Sequence, residues 1–463
     1  MSERQAIDVA QIIDQRKVDW FNVRLVFFSF LIVLFDGYDI SAVGFAAPEL
    51  IKAWGITDRS ALGPVFSASL VGMLFGAPAL GYIGDRYGRK IAIILSCLIF
   101  GAFTWMAVLA TSLNHLLWLR FLAGIGIGGL MPNAIALNAE FAPKRLRATM
   151  IILMFTGVTF GGALPGLVSV ALVPQHGWQI LFSIGGVFPI IAAVCVALWC
   201  PESIKFLVLK GGKGGQVAKL LRQLQRGVPV DPNAEFVVRD EKRYGEFSIR
   251  QLFGDGLAVI TPLLWLLFVA NLMAFYFLLS WTPTLLTSAN LPIAKAAIAT
   301  TLFQLGGTIG GLVLARPIDK MGLAPVTLLF ALAVPVVASI GYVGRISEPL
   351  LMIIVFLGGF CVLGLQFGLN ATSAMIYPTA FRSNGAGWAL GVGRVGSIVG
   401  PLVGGLLISM KLPVQQLYLW AAVPFLVGAV ACFILERLYV ARFQGRGLGR
   451  RDSMERAPSS GQA

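Results

Sequence analysis

Charge is scarce in this chain. Asp, Glu, Lys and Arg together make up 13% of its 463 residues, while 57% are hydrophobic. A soluble protein of that length needs far more polar surface to cover its core, so a water-soluble enzyme is excluded. Histidine is rarer still: His115 and His176 stand alone near short loops and cannot form a metal cluster. The five cysteines (Cys97, Cys195, Cys200, Cys361, Cys432) are scattered without a CxxC pair. That excludes a disulfide framework or a thiolate metal site and leaves small core residues. No nucleophile–base constellation is present. Long polar sequence is confined to one stretch, 200–257. Within it, Gly211-Gly212-Lys213-Gly214-Gly215 lacks the preceding strand and the Gly-Lys-Ser/Thr ending of a phosphate loop, and reads as a flexible linker. The first 23 residues are polar and lack an apolar h-region, so no cleavable signal peptide is expected.

What the chain has in abundance is apolar runs long enough to cross a bilayer as helices. Bounded by charge or by Pro and Gly, they give twelve spans: 24–48, 62–84, 91–111, 115–139, 148–172, 178–199, 258–282, 294–315, 324–343, 349–375, 384–409 and 415–437. The expected organisation is an N-terminal segment 1–23, a six-helix half 24–199, a central loop 200–257, a second six-helix half 258–437 and a tail 438–463. The basic residues orient it. With the N-terminus inside, only Lys52, Arg59, Lys295, Arg345 and Lys411 fall in outside loops. Both termini and the central loop are then cytoplasmic, in the cell's inner membrane. The excess of Lys+Arg 36 over Asp+Glu 22 orients the chain and faces anionic lipid. It is not a nucleic-acid stripe.

The two halves repeat one plan. Asp85 is answered by Asp319, 234 residues on, Pro143 with Arg147 by Pro378 with Arg382 at 235, and Pro165 by Pro401 at 236. Three landmarks on one slowly drifting offset indicate a duplicated six-span unit. This is the construction of rocker-type transporters, which place their site between halves. The fold expected is therefore an all-α membrane protein of twelve transmembrane helices in two pseudo-symmetric halves.

Four charges break the apolar spans. Asp36 and Asp39 lie in the middle of the first, Arg120 in the fourth and Arg394 in the eleventh. A charge at bilayer depth costs roughly 2.5–3.5 kcal/mol on insertion scales and usually faces a bundle interior or wet cavity. The offset maps Asp36 near Asn271, Asp39 near Ala274, Arg120 near Val355 and Arg394 near Val158. The charges are thus additions to the shared scaffold, as an asymmetric cargo requires. Arg394 offers a planar fork matching a carboxylate. It is read as the substrate anchor, with permanent pairing to Asp36 or Asp39 as the alternative. The two aspartates, three residues apart on one helix face, are read as a jointly titrating proton site. A packing salt bridge with Arg120 is the alternative. Gly124, Gly126, Gly128 and Gly129 beside Arg120 mark a close helix contact. Gln304, Gln366 and Asn370 within apolar spans need partners or a cavity and are read with Tyr38 and Trp281 as candidate substrate contacts.

The loop Gly84-Asp85-Arg86-Tyr87-Gly88-Arg89-Lys90 resembles the signature loop of the major facilitator superfamily between its second and third helices. Arg120-Phe121-Leu122-Ala123-Gly124-Ile125-Gly126 resembles its fourth-helix motif, and Pro201-Glu202-Ser203 the PES motif of several branches. Asp36-Gly37-Tyr38-Asp39, with the stretch Gly391 to Pro401 around Arg394, resembles the aromatic acid:proton symporter family. The second-half loop departs from the pattern, with Ala324-Pro325 where Arg-Lys would complete it. The resemblance implies the major facilitator fold and import of benzoate-type acids, with Arg120 helping to couple protons. Asp85, Arg86, Arg89, Glu140, Arg147, Glu202, Asp319 and Arg382 gather at inside span ends and read as a cytoplasmic gate, with positive-inside anchoring as the alternative.

The expectation is a non-enzymatic, proton-coupled symporter of a small aromatic carboxylate such as a hydroxybenzoate, working as a monomer in the lipid bilayer. It needs no cofactor, the proton gradient being the driving force. A symporter of a dicarboxylate or sugar acid is the nearest alternative. A drug/proton antiporter suits Arg394 less well, and a membrane sensor leaves the buried charges unexplained.

Overall fold

The computed structural model describes residues 6–15, 19–209, 214–224, 235–237, 249–254, 256–344, 346–377 and 382–442. Among them, twelve helices are long and apolar enough to cross a membrane. They are α1 (Trp20–Ala53), α2 (Leu62–Tyr87), α3 (Arg89–Met106), α4 (Leu113–Phe141), α5 (Arg147–Ala171) and α6 (Gln179–Trp199) in the first half. The second half holds α7 (Ile260–Ser288), α8 (Ile293–Met321), α9 (Ala324–Val343), α10 (Glu348–Ile376), α11 (Arg382–Ser409) and α12 (Val414–Arg442). Every expected span has its helix. Several run past the apolar run that announced them: α1 extends beyond 24–48 at both ends, and α8 continues past 315 to Met321. Hydropathy marks the slab a helix crosses, whereas backbone hydrogen bonding continues into the polar margin. Where ends need partners, side chains supply them. Ser112 accepts the His115 N–H at the start of α4, and Ser347 accepts that of Leu350 at the start of α10.

The chain divides into two compact units. The first holds Met1–Ala42, Ala68–Gly162 and Gln175–Arg243; the second holds Val43–Ser67, Ala163–Pro174 and Tyr244–Ala463. In the first unit glycines let helix backbones touch. A Cβ on Gly72 would collide with the Phe121 carbonyl, one on Gly76 with that of Ile125, and one on Gly124 with that of Ser69. The α2–α4 crossing is therefore specified by three glycines. On another face of α4, Gly126 lies against Ser96 and Phe100 of α3. Gly37 meets the Val158 carbonyl and Gly161 that of Leu34, bringing α1 against α5.

The second unit repeats these contacts. Gly306 meets the Phe356 carbonyl, Gly310 that of Phe360 and Gly359 that of Phe303, so α8 crosses α10 as α2 crosses α4. Gly396 meets the Val269 carbonyl as Gly161 meets that of Leu34. Each partner is displaced by 234 or 235 residues, the offset of the sequence landmarks. The duplication thus extends to individual backbone contacts.

The second unit also gathers the C-terminal ends of α1 and α5 and the N-terminal end of α2. Gly44 packs on Leu279 and Ser280, Gly63 on Pro401, and Gly166 on Ala297 and Thr301. Ser67 Oγ donates to the Ile398 carbonyl at 2.8 Å, and Arg59 donates to Ser288 Oγ.

Two three-residue strands depart from an all-helical chain. Ala6–Asp8 pairs in parallel with Glu235–Val237, with Ile7 opposite Phe236. Beside them the short helices Val9–Gln15, Ile204–Leu209 and Gly214–Leu224 bury Val9, Ile13, Ile204, Val217 and Leu221. The central polar stretch is therefore partly ordered against the N-terminal segment. Of the glycine-rich run within it, Gly214 and Gly215 open a helix, while residues 210–213 lie outside the described residues.

Candidate functional site

The first unit carries a charged centre with no exposure to solvent. Asp39 is 0% exposed and Arg120 is 1% exposed. Arg120 Nη1 donates to Asp39 Oδ1 and Nη2 to Oδ2, each at 2.6 Å. This bidentate fork is the strong form of a charged hydrogen bond. Arg120 Nη2 also donates to the Asp39 backbone carbonyl at 3.3 Å, and two hydroxyls add further contacts. Thr104 Oγ1 on α3 donates to Asp39 Oδ1 at 3.0 Å, and Ser69 Oγ on α2 accepts from Arg120 Nη2 at 3.3 Å. The guanidinium carbon also sits 6.0 Å over the Phe182 ring of α6. Arg120 Nε is buried with no hydrogen-bond partner among the described residues. Asp36, one turn earlier on α1, is equally buried.

The local sequence explains how α1 delivers these groups. Asp36 and Asp39 are spaced to share a helix face, while Gly37 between them lets α5 approach. Tyr38 is turned to α6, where its hydroxyl donates to the Leu181 carbonyl at 3.1 Å. Its ring packs beside Gly185, as does the methyl of Thr104.

The second unit holds the other candidates. Arg394 on α11 is half-buried, and among the described residues no carboxylate pairs with it. One and two turns before it, Gly391 and Gly387 have open space where a Cβ would stand. Asn271 on α7, fully buried, donates through Nδ2 to Gln366 Oε1 of α10 at 3.0 Å. Gln366 Nε2 donates onward to Asn370 Oδ1 at 3.5 Å, and Asn370 is exposed. Asn271 Oδ1 has no hydrogen-bond partner among the described residues. Gln304 is buried within α8. Trp281 is fully buried too: its Nε1 donates to the Pro401 carbonyl at 3.0 Å, and its ring stands edge-on to Phe66 at 4.9 Å.

A third group lies where α2 ends and α3 begins. Arg89 bridges Asp85 at 2.9 Å and Glu140 at 3.4 Å, and its Nη1 donates to the Gly84 carbonyl at 2.8 Å. Ser203 Oγ donates to Glu140. Glu202 Oε1 accepts the backbone N–H of Lys90 at 3.2 Å and that of Ser203 at 2.8 Å. Its carboxylate therefore caps the N-terminus of α3, where the helix dipole favours a negative charge. Gly88, at φ 117°, makes the turn into that cap. Arg86 Nη1 donates to Tyr82 Oη at 2.8 Å. The side chains of Arg147, Asp319 and Arg382 lie outside the described residues.

Sequence reasoning singled out the four membrane charges and offered Arg120 as a partner for the aspartates, but missed the hydroxyls of Thr104 and Ser69 beside that pair. Thr104 and Ser69 have no local signal, since a hydroxyl in a span is unremarkable until its partner is known. Asn271 carries the same signal as its partner Gln366, an amide in an apolar span, and entered only as the counterpart of Asp36.

The model describing the Major Facilitator Superfamily matches residues 29–344. The chain is 36% identical over 433 residues to the 4-hydroxybenzoate transporter PcaK of Pseudomonas putida, covering 93% of this chain and 96% of that protein. It is 37% identical over 428 residues to the gallate transporter of Pseudomonas putida, covering 92% and 94%. Among solved structures, the D-xylose-proton symporter superposes with a TM-score of 0.71 at 16% identity, over 92% of this chain and 99% of that one.

Proposed function

This chain belongs to the major facilitator superfamily, and on that footing we propose that it imports a small aromatic carboxylate together with protons by alternating access. It is a multi-pass membrane protein and not an enzyme. The relatives named for 4-hydroxybenzoate and gallate support an aromatic acid as cargo. The observation that carries the assignment is Arg394, a half-buried guanidinium in the middle of α11 with no carboxylate on it among the described residues. A guanidinium keeps its charge in any surroundings and binds a carboxylate through two parallel hydrogen bonds. Gln366 and Asn370 supply polar edges for ring substituents.

Proton coupling is assigned to Asp36, Asp39 and Arg120. A proton arriving on Asp39 neutralises the carboxylate and leaves the Arg120 charge uncompensated. The potential that remains favours an incoming anion. Proton and substrate then promote each other's binding, and by linkage the effect is reciprocal. One proton with one monoanion moves no net charge, whereas a second proton adds about 2.3 kcal/mol per 100 mV of membrane potential. The bias of basic residues supports an inner-membrane orientation with both termini cytoplasmic. A single chain, with both halves of the repeat in one polypeptide, forms the transport unit.

Counterflow in proteoliposomes preloaded with unlabelled substrate tests the cargo. Labelled 4-hydroxybenzoate should enter and be outcompeted by ring-substituted benzoates. A chain that exchanges dicarboxylates or sugar acids but ignores benzoates would refute the aromatic assignment, and one showing no exchange with any acid would refute transport.

A further inference from the structure

We propose that Thr104 is a positioning residue for proton coupling: it donates to the ionised Asp39 carboxylate and accepts the O–H of the protonated acid, which Arg120 cannot do. The inference rests on the proton-coupling reading of Asp39. Its chemistry follows from what each partner can do. A guanidinium has five donors and no acceptor, so it can bond the carboxylate or the carbonyl oxygen of the neutral acid but cannot accept the acid's O–H. A hydroxyl donates and accepts. Among the described residues, the side-chain partners of Asp39 are Arg120 and Thr104 alone.

The geometry makes Thr104 suited to that task. It is 1% exposed and comes from α3, a helix otherwise without polar contact to the buried pair among the described residues. Its Cγ2 lies against Gly185 of α6, where an added Cβ would be 3.3 Å away. A β-branched side chain is stiff at χ1, so a seated methyl fixes the hydroxyl toward Asp39 Oδ1. When Asp39 is ionised, the hydroxyl donates, as it does at 3.0 Å. When Asp39 takes a proton, the acid O–H donates to Thr104 Oγ1 and the hydroxyl hydrogen rotates away. Ser69 complements this from α2: its Oγ and the Asp39 backbone carbonyl both accept from Arg120 Nη2 and keep that nitrogen partnered once the carboxylate is neutral.

Among the described residues, the charged and titratable groups around Asp39 are few. Arg120 faces it from α4, Asp36 and Tyr38 lie on α1 itself, and among the described residues α2 and α3 bring the hydroxyls of Ser69 and Thr104 to the pair. The segment Gln179–Trp199 that forms α6 contains no charged residue. Removing the Thr104 hydroxyl therefore alters the single neutral partner that suits both states.

The test uses the full chain in proteoliposomes, with labelled 4-hydroxybenzoate as the probe. Thr104→Val keeps the methyl seat and deletes the hydroxyl; Thr104→Ser keeps the hydroxyl. Each is assayed for uptake driven by an inward proton gradient across a pH series, and for counterflow without a gradient. Thr104→Val should lose gradient-driven uptake by about tenfold, as expected for a hydrogen bond to a charged group, with a displaced pH profile and counterflow within about twofold of the parent. Thr104→Ser should restore both rate and profile. Wild-type gradient-driven uptake and pH profile in Thr104→Val would overturn the proposal. So would an equal loss of counterflow in Thr104→Val and Thr104→Ser, which marks a packing role. If Thr104→Val does not reach the membrane, Thr104→Cys, with a weak thiol donor, takes its place under the same criteria. Asp39→Asn run in parallel separates the two levels, because gradient-driven uptake surviving there refutes proton coupling through Asp39 itself.

Discussion

Arg120 grips Asp39 through two hydrogen bonds of 2.6 Å, with both side chains all but sealed from solvent. Such a pair is held by geometry: desolvating two charges offsets most of their attraction, and losing one partner strands the other. Arg120→Leu should therefore cost about 3–5 kcal/mol and abolish proton-driven uptake. Arg120→Lys should fail to restore uptake, because an ammonium cannot reproduce the planar fork. Thermal unfolding in detergent, read beside uptake, checks both, and full function in Arg120→Lys would argue that a bare positive charge suffices.

Arg394 makes a different prediction because no carboxylate of the described residues holds it. Arg394→Gln should leave folding nearly unchanged and weaken substrate competition in counterflow by about ten- to a hundredfold, the range for a hydrogen bond to a charged group. Arg394→Lys should recover part of that loss. Loss of stability without loss of affinity would make Arg394 a structural residue.

Glu202 accepts the Lys90 N–H at the start of α3. Glu202→Ala removes this cap and should cost about 1 kcal/mol, the usual size for a helix N-terminal partner. Glu202→Gln, which keeps an acceptor but no charge, should fall between. Melting temperatures of the purified proteins give the ranking, and an unchanged value for Glu202→Ala would show that the cap contributes nothing.

Buried Asn271 and half-buried Gln366 form an amide pair. Gln366→Leu leaves the Asn271 amide without its partner and should cost about 1–3 kcal/mol. Asn271→Leu combined with Gln366→Leu should be the more stable of the two, since nothing polar is then left unsatisfied. A double-mutant cycle measures this directly, and strictly additive losses would mean the pair is not coupled.

Much of this architecture was legible in the sequence. Each apolar run became a helix, and the offset linking Asp85 to Asp319 reappears in the paired contacts of Gly124 with Ser69 and Gly359 with Phe303. A duplicated scaffold leaves the same close approaches in both copies, and glycine is what permits them. The cost of membrane charge likewise announced that Asp39 needed a partner, and offered Arg120 and Arg394 without deciding between them. That choice depends on how α1, α3 and α4 are turned, which hydropathy does not encode. Tyr38 shows the same limit, since neither its type nor its place between two aspartates indicates that its hydroxyl ends on Leu181. The strand pair of Ala6–Asp8 with Glu235–Val237 was invisible for another reason. Three-residue strands far apart in the chain carry no periodic signal, and their pairing is decided by tertiary contact.

The most direct test of the central claim is the pH of a weakly buffered medium around de-energised proteoliposomes when 4-hydroxybenzoate is added. Coupled import predicts transient alkalinisation outside that a protonophore removes and that Asp39→Asn lacks. Substrate entry with no pH change, or with acidification, would contradict it.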